Sequence, residues 1–310
     1  MNKLKKVGLT ALATTLVASS AYAGEMSVSG SASLNYSGLN TASGQPWTMG
    51  NSIVFSGGGE LDNGMTIGVS FELDHGFNTF DDYSLSLGLG DGMGTLGFSG
   101  ASTSPGGIDD VKDIIPTAYT PVYENTDSID NGLATISGRN QTAMWGYKNT
   151  IGDLAVSVGY NAINSTASAD GSETSIGLTY TTPIEGLTLV AGNYDDEKVA
   201  DARTYGAKYT MGAVTAAYQV TNVDYDSIMV GDHDTKSYGI SLAVNENFSV
   251  SAGAHNVTVS GQSNEEKNTG VSASYTVGSI TIAGALNQVD NITGGTGNAE
   301  VSSLNIAFAF

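Results

Sequence analysis

The sequence predicts an all-β chain, closed into an antiparallel transmembrane barrel of 16 strands. Three observations carry this. Segments of about ten residues alternate apolar and polar side chains with period two, as a half-wetted strand does. Short turn signals alternate with long polar loops along the chain. Beyond residue 24 there is no run of about 18 apolar residues that could span a bilayer as a helix.

The elements follow in order. Met1 to Lys6 is basic, Val7 to Ser20 is apolar but short, and Ala21-Tyr22-Ala23 has the small-x-small form of a cleavage site, so residues 1–23 read as a secretory signal peptide and 24–310 as the mature barrel domain. The first strand sets Met26, Val28, Ala32, Leu34 and Tyr36 on one face and Ser27, Ser29, Ser31, Ser33 and Asn35 on the other. Ile53 and Phe55 continue the pattern, as do Ile67, Val69, Phe71 and Leu73 against Ser70, Glu72 and Asp74. It returns at Leu154 to Tyr160, Ile176 to Tyr180, Tyr205 to Tyr209, Val214 to Val220, Tyr238 to Val244, Phe248 to Ala252, Val271 to Val277 and Ile280 to Ile282. The last strand is "SSLNIAFAF", ending on Phe310.

Seven short turns lie at Asp62-Asn63-Gly64, Gly90 to Gly94, Thr150 to Gly152, Pro183 to Gly186, Met211-Gly212, Asn245 to Asn247 and Gly278-Ser279. Eight longer loops are expected near 37–47, 75–82, 100–140, 163–172, 194–202, 222–235, 257–268 and 288–298. Fifteen connections join sixteen strands and leave both termini at the short-turn rim, the layout of a bacterial outer-membrane barrel. Hydrocarbon offers no partner to backbone N–H and C=O groups, so such a sheet can have no edge. The last strand, Leu304 to Phe310, is therefore expected to pair with the first, its apolar face on lipid. Tyrosines near strand ends fit two interfacial girdles: Tyr36, Tyr83, Tyr160, Tyr205, Tyr218 and Tyr238 at the long-loop side, Tyr147, Tyr180, Tyr209 and Tyr275 at the other.

Charge and composition exclude other classes. The chain has 31 acidic and 11 basic residues, and loss of Lys3, Lys5 and Lys6 with the leader leaves a net charge of about −23. Nucleic acid is not a partner, because counterion release needs a basic face. There is no cysteine and hence no disulfide. His75, His233 and His255 lie in separate segments without a GxSxG or HExxH pattern, so no catalytic site is assigned. "GLGDGMGTLG" lies between strands with no helix after it to cradle phosphate. No cofactor and no metal site are assigned; "TDSIDNG" and "DGS" offer oxygen ligands for Ca²⁺ at loop tips but lack the closing Glu of the full loop pattern.

The stretches "IVFSGGGELDNGMTIGVSFELDHGF", "GTLGFSGAS" leading into the longest loop, and the terminal "NIAFAF" resemble the trimeric general porins of Gram-negative bacteria, the alphaproteobacterial type above all. The resemblance implies a water-filled outer-membrane channel for small polar solutes and ions, a homotrimer embedded in outer-membrane lipid, and a third external loop folded inward to set the bore. It also implies that Phe310 is a signal read by the barrel assembly machinery. Sixteen strands leave a lumen that side chains cannot fill, and a forty-residue connection in a compact domain is expected to have a task. The constriction loop, about 100–140, offers Asp109, Asp110, Asp113, Glu124, Asp127 and Asp130. By parity the pore wall offers Glu60, Glu72 and Asp74; Lys148, Arg203, Lys208 and Lys236 fall on or beside polar faces and are the candidate bases, with Arg139 at the loop's end. Family porins set a basic cluster opposite the acidic loop. This chain departs from that pattern, having no Lys or Arg between Lys6 and Lys112. The excess of acid predicts a cation preference. Two other readings stay open, a substrate-selective channel and a structural or adhesive barrel.

Overall fold

The structure, a computed structural model, describes residues 26–39, 46–74, 80, 82–101, 104–123, 143–162, 171–226 and 231–310. Sixteen strands form one closed antiparallel barrel in sequence order. They are β1 (Met26–Leu39), β2 (Trp47–Glu60), β3 (Thr66–Asp74), β4 (Asp82–Gly88), β5 (Thr95–Ala101), β6 (Met144–Ile151), β7 (Leu154–Asn161), β8 (Glu173–Thr181), β9 (Leu187–Asp196), β10 (Ala200–Met211), β11 (Val214–Tyr225), β12 (His233–Ala243), β13 (Phe248–Val259), β14 (Glu266–Val277), β15 (Ile280–Asp290) and β16 (Asn298–Ala309). Two short 3-10 turns, Ile108–Val111 and Ile292–Gly294, are the helical elements among the described residues.

Closure is made by β1 and β16, which pair from Ser31 opposite Ala309 to Leu39 opposite Val301. The pairing continues one step past the strand, where the Gly30 N–H donates to the Phe310 carbonyl at 2.8 Å and the Phe310 N–H to the Gly30 carbonyl at 2.9 Å. No free edge remains, as hydrocarbon demands. The short turns fall where the sequence placed them. Their positive backbone angles are met by glycine, as at Gly64 (φ 77°) and Gly186 (φ 81°), and once by Asp91 (φ 48°).

Along most of the wall the expected alternation holds. Val28, Ile67, Leu85, Ile240, Val271 and Ile282 point outward and are exposed to the surroundings of the barrel. Serines, threonines and glycines take the inward positions, with Ser27 bonded to Ser56, Ser249 to Ser274 and Ser251 to Ser272. Girdle tyrosines Tyr160, Tyr205, Tyr218 and Tyr238 are outward and exposed, as are Tyr180, Tyr209 and Tyr275 toward the short-turn rim.

Toward the long-loop rim the strands of the second half outrun the expectation. The loop expected over 194–202 is a turn of three residues, 197–199, between β9 and β10. The extra strand length inverts the polarity of the wall. Its inner face there is buried: Ala200, Ala202, Val223, Val257, Val289 and Ala299 are each at most 1 % exposed, beside equally buried polar side chains such as His255, Glu266 and Asn268. The outer face carries Asp201, Arg203, Asn222, Asp224, Lys236 and Lys267 instead. The hydrocarbon ends at the girdle, so beyond it nothing selects apolar side chains outside, and the inner face is free to build a core.

Candidate pore constriction

The β5–β6 connection turns into the barrel and supplies the partner for that core. Ile108 and Val111 of the first 3-10 turn are 1 % exposed and pack with Val190, Tyr194, Ala200, Ala202 and Val223 of β9–β11. Burying two such side chains contributes about 2 kcal/mol each. Ordering backbone costs about 1–2 kcal/mol per residue, so anchors must recur along the loop, and they do. The Gly107 N–H donates to Ser157 Oγ on β7 at 2.8 Å. Gln219 of β11, itself buried, donates from Nε2 to the Val111 carbonyl at 2.8 Å while its Oε1 accepts from the Ile114 N–H at 3.2 Å. The Ala118 N–H reaches Ser251 Oγ on β13, the Tyr119 N–H reaches Ser272 Oγ on β14, and Asn287 Nδ2 of β15 donates to the Pro121 carbonyl.

Glycines let the loop come this close. On β6, a Cβ at Gly146 would stand 2.3 Å from the Pro105 carbonyl oxygen; on β8, one at Gly177 would stand 2.5 Å from that of Gly107. Gly97, Gly146 and Gly159 are register partners across β5, β6 and β7, as are Gly177 and Gly192 across β8 and β9. They form a trough in which the loop backbone lies. The sequence reading missed them, although the signal is present: a glycine inside a strand marks a place where another backbone approaches.

Residues 104–123 of the loop therefore lie against the wall from β5 to β15 and face the inner surface of β16 and β1–β4. Asp110 Oδ1 binds Lys148 Nζ of β6 at 2.7 Å, and its Oδ2 accepts from Ser157 Oγ at 2.5 Å. Asp109 pairs with Lys112 at 2.5 Å, and Asp113 accepts from the Tyr123 hydroxyl at 3.2 Å. Glu124, Asp127, Asp130 and Arg139 lie outside the described residues, as do His75 and the "TDSIDNG" stretch. Among the described residues no group of three or more His, Asp or Glu is arranged to hold a metal ion.

On the facing wall Glu72 and Asp74 of β3 point inward. Glu72 accepts from Ser52 Oγ and stands in register with Asp82 of β4. Asp82 escapes the sequence reading because a loop is expected to run to residue 82; it adds a carboxylate directly beside Glu72.

Two wall assignments are overturned. Arg203 stands on the outer face of β10 with Tyr205, and Lys236 on the outer face of β12 with Tyr238, each two residues beyond its girdle tyrosine. Both lie where the wall has reversed its polarity, so the rule that polar positions face the lumen fails for them. Lys208, on the girdle side of that boundary, is inward between Thr188 and Ala217. Phe310 continues the outer face at the end of β16, 80 % exposed, with its ring edge over Gly30, where a Cβ would stand 2.6 Å from the ring.

The family model for Gram-negative porins matches residues 8–310. The chain belongs to the Gram-negative porin family. It is accordingly an integral barrel of the outer membrane, and its long-loop rim is the external one. Solved structures with the same fold include OmpT, an outer membrane protein of Vibrio cholerae, in its trimer form (12 % identity, 93 % of this chain and 100 % of that one, TM-score 0.68). A triple mutant of Rhodopseudomonas blastica porin matches at 16 % identity over 92 % of this chain and 100 % of its own (TM-score 0.67). The anion-selective porin from Comamonas acidovorans matches at 14 % identity over 93 % and 100 % (TM-score 0.68). No curated protein matches the sequence.

Proposed function

We propose that this porin is a passive, cation-preferring diffusion channel for small hydrophilic solutes and ions, without catalytic chemistry. The observation that carries the reading is the fate of its bases. Of the seven in the described residues, Arg203, Lys236 and Lys267 face outward, Lys148 and Lys112 are paired with Asp110 and Asp109, and Lys198 sits at the β9–β10 turn. Lys208 alone stands inward without an ion pair among the described residues, against Glu60, Glu72, Asp74 and Asp82 on the facing wall. A negative lumen concentrates cations and repels anions. The Comamonas acidovorans porin is anion-selective, the opposite preference; at 14 % identity the likeness extends to the barrel and not to the charges in its bore. On the same reading the chain works as a homotrimer in outer-membrane lipid, and Phe310 is the terminal mark taken up by the barrel assembly machinery.

Reversal potentials in a salt gradient test the preference. A unit charge about 8 Å from a permeating ion changes its energy by about 0.5 kcal/mol in water, with opposite sign for cation and anion. Glu72→Gln with Asp82→Asn should therefore lower the cation-to-anion permeability ratio by about fivefold per charge before salt screening. Anion preference in the unmodified channel would sink the reading.

A further inference from the structure

Inside the barrel, a recess opens beneath the first turn of the constriction loop. Its volume is about 390 Å³, well beyond the space that one water needs. Thr95, Lys148 and Ser157 are consecutive inward register partners across β5, β6 and β7, and Thr150 and Thr179 line the next row. Thr95 begins β5 and Thr150 stands one residue from the end of β6, so the recess lies on the short-turn side of the loop. Asp110 covers it from above.

The Asp110–Lys148 pair faces this recess and stays wet. Its Oδ1 and Nζ atoms are 2.7 Å apart, and the lysine and aspartate side chains remain 44 % and 32 % exposed. The Ser157 hydroxyl, donating to Oδ2, fixes the carboxylate from the other side. A carboxylate oxygen accepts more than one hydrogen bond, and an ammonium group has three donors, of which Asp110 takes one. Such a pair has little pull on a lone ion, because attraction by one end and repulsion by the other nearly cancel. A solute that carries both charges at the same spacing lies antiparallel to the pair and is attracted at both ends. Covalent geometry gives the head of an α-amino acid that spacing, its ammonium nitrogen standing about 3 Å from a carboxylate oxygen. The threonine hydroxyls donate or accept by rotation and meet the remaining polar atoms of the solute.

We propose that this recess is a subsite for α-amino acids in transit, with the solute's carboxylate on Lys148 and its ammonium on Asp110. The inference rests on the diffusion-channel reading and names one class among the solutes of that channel. Contacts between exposed charges are weak, and weakness suits a pore, whose occupant must leave as readily as it enters. An amino acid held beside the constriction obstructs the ion current, so its occupancy can be read electrically.

The test uses the full mature barrel in planar bilayers at low salt, titrated with alanine, alaninamide, propionate and glycerol. Alanine is expected to reduce the current along a saturating curve, and glycerol, similar in size but uncharged, is not. Lys148→Met should weaken the alanine effect about threefold while alaninamide, which keeps only the cationic end, binds no more weakly. Asp110→Asn should weaken alanine by a similar factor while propionate, which keeps only the anionic end, binds no more weakly. A loosened loop would change all the solutes alike, so this reciprocal pattern isolates the two contacts. Lys148→Arg should retain the alanine effect. Heat-dependent gel mobility reports whether each variant is a folded barrel, and the comparison of alanine with glycerol on the unmodified channel stands if a variant does not fold. Absence of a saturating alanine effect, an equal effect of glycerol, or an effect unchanged in the Lys148→Met, Asp110→Asn double variant overturns the subsite and leaves the diffusion channel in place. A barrel that passes no current overturns both.

Discussion

Gln219 holds two parts of the molecule together with one amide. Its Nε2 donates to the Val111 carbonyl and to Thr204 Oγ1, both at 2.8 Å, and its Oε1 receives the Ile114 N–H. Thr204 in turn shares a hydrogen bond with Thr221, so the clamp is itself braced from two strands. An alanine here leaves the buried Val111 carbonyl without this partner, at about 1–3 kcal/mol, and frees the half-buried Ile114 N–H as well. That cost falls on the loop, because the β10–β11 ladder does not use the side chain. Gln219→Ala should keep the heat-resistant gel mobility of the folded barrel while its single-channel current becomes noisier and visits more levels. A current trace identical to that of the unmodified protein would show that the loop does not depend on this clamp. Nothing in the sequence around "AAYQV" marks Gln219 as different from any other lumenal amide. Its role exists only because the loop crosses the barrel at that height.

Among the elements, β16 and the constriction loop differ in how far the sequence reveals them. The alternation of Leu304, Ile306 and Phe308 states both the partner and the outward face of β16, and the pairing of Leu34 with Ile306 and of Ala32 with Phe308 follows from it. Phe310 adds little to that pairing through its ring, since the bonds to Gly30 are made by backbone. Phe310→Ser should therefore reduce the protein recovered from outer membranes, while refolded protein in detergent melts within about 3 °C of the original. A parallel fall in both would make Phe310 a structural residue only. The constriction loop is legible by its length and acids. Its seat was legible too, in Gly146, Gly159, Gly177 and Gly192, because strand glycines are costly and need a reason. The reason appears only when Pro105, Gly106 and Gly107 are seen lying on them.

For the whole molecule, period-two reading gives the barrel correctly but carries a hidden assumption, that the surroundings of the wall are the same along each strand. They are apolar only between the girdles. Past Tyr205 and Tyr238 the outside is headgroup and water, and the inside becomes a core around Ile108 and Val111, so reading polar side chains as lumenal puts Arg203 and Lys236 on the wrong side, although they share the parity of Tyr205 and Tyr238, while Lys148 and Lys208 remain inward. On the proposed reading the consequence is electrical, for a lumen that keeps its acids and loses those bases would carry a negative potential. The chain contains no cysteine, so single thiols introduced at Glu72, Lys208, Arg203 and Lys236 can be probed one at a time in a reconstituted bilayer with a charged, membrane-impermeant thiol reagent. Modification of Glu72→Cys and Lys208→Cys should change the channel current, and modification of Arg203→Cys and Lys236→Cys should proceed to completion with the current unchanged. A current that falls on labelling at residue 203 or 236, or stays constant on labelling at residue 72, would contradict this arrangement of the wall.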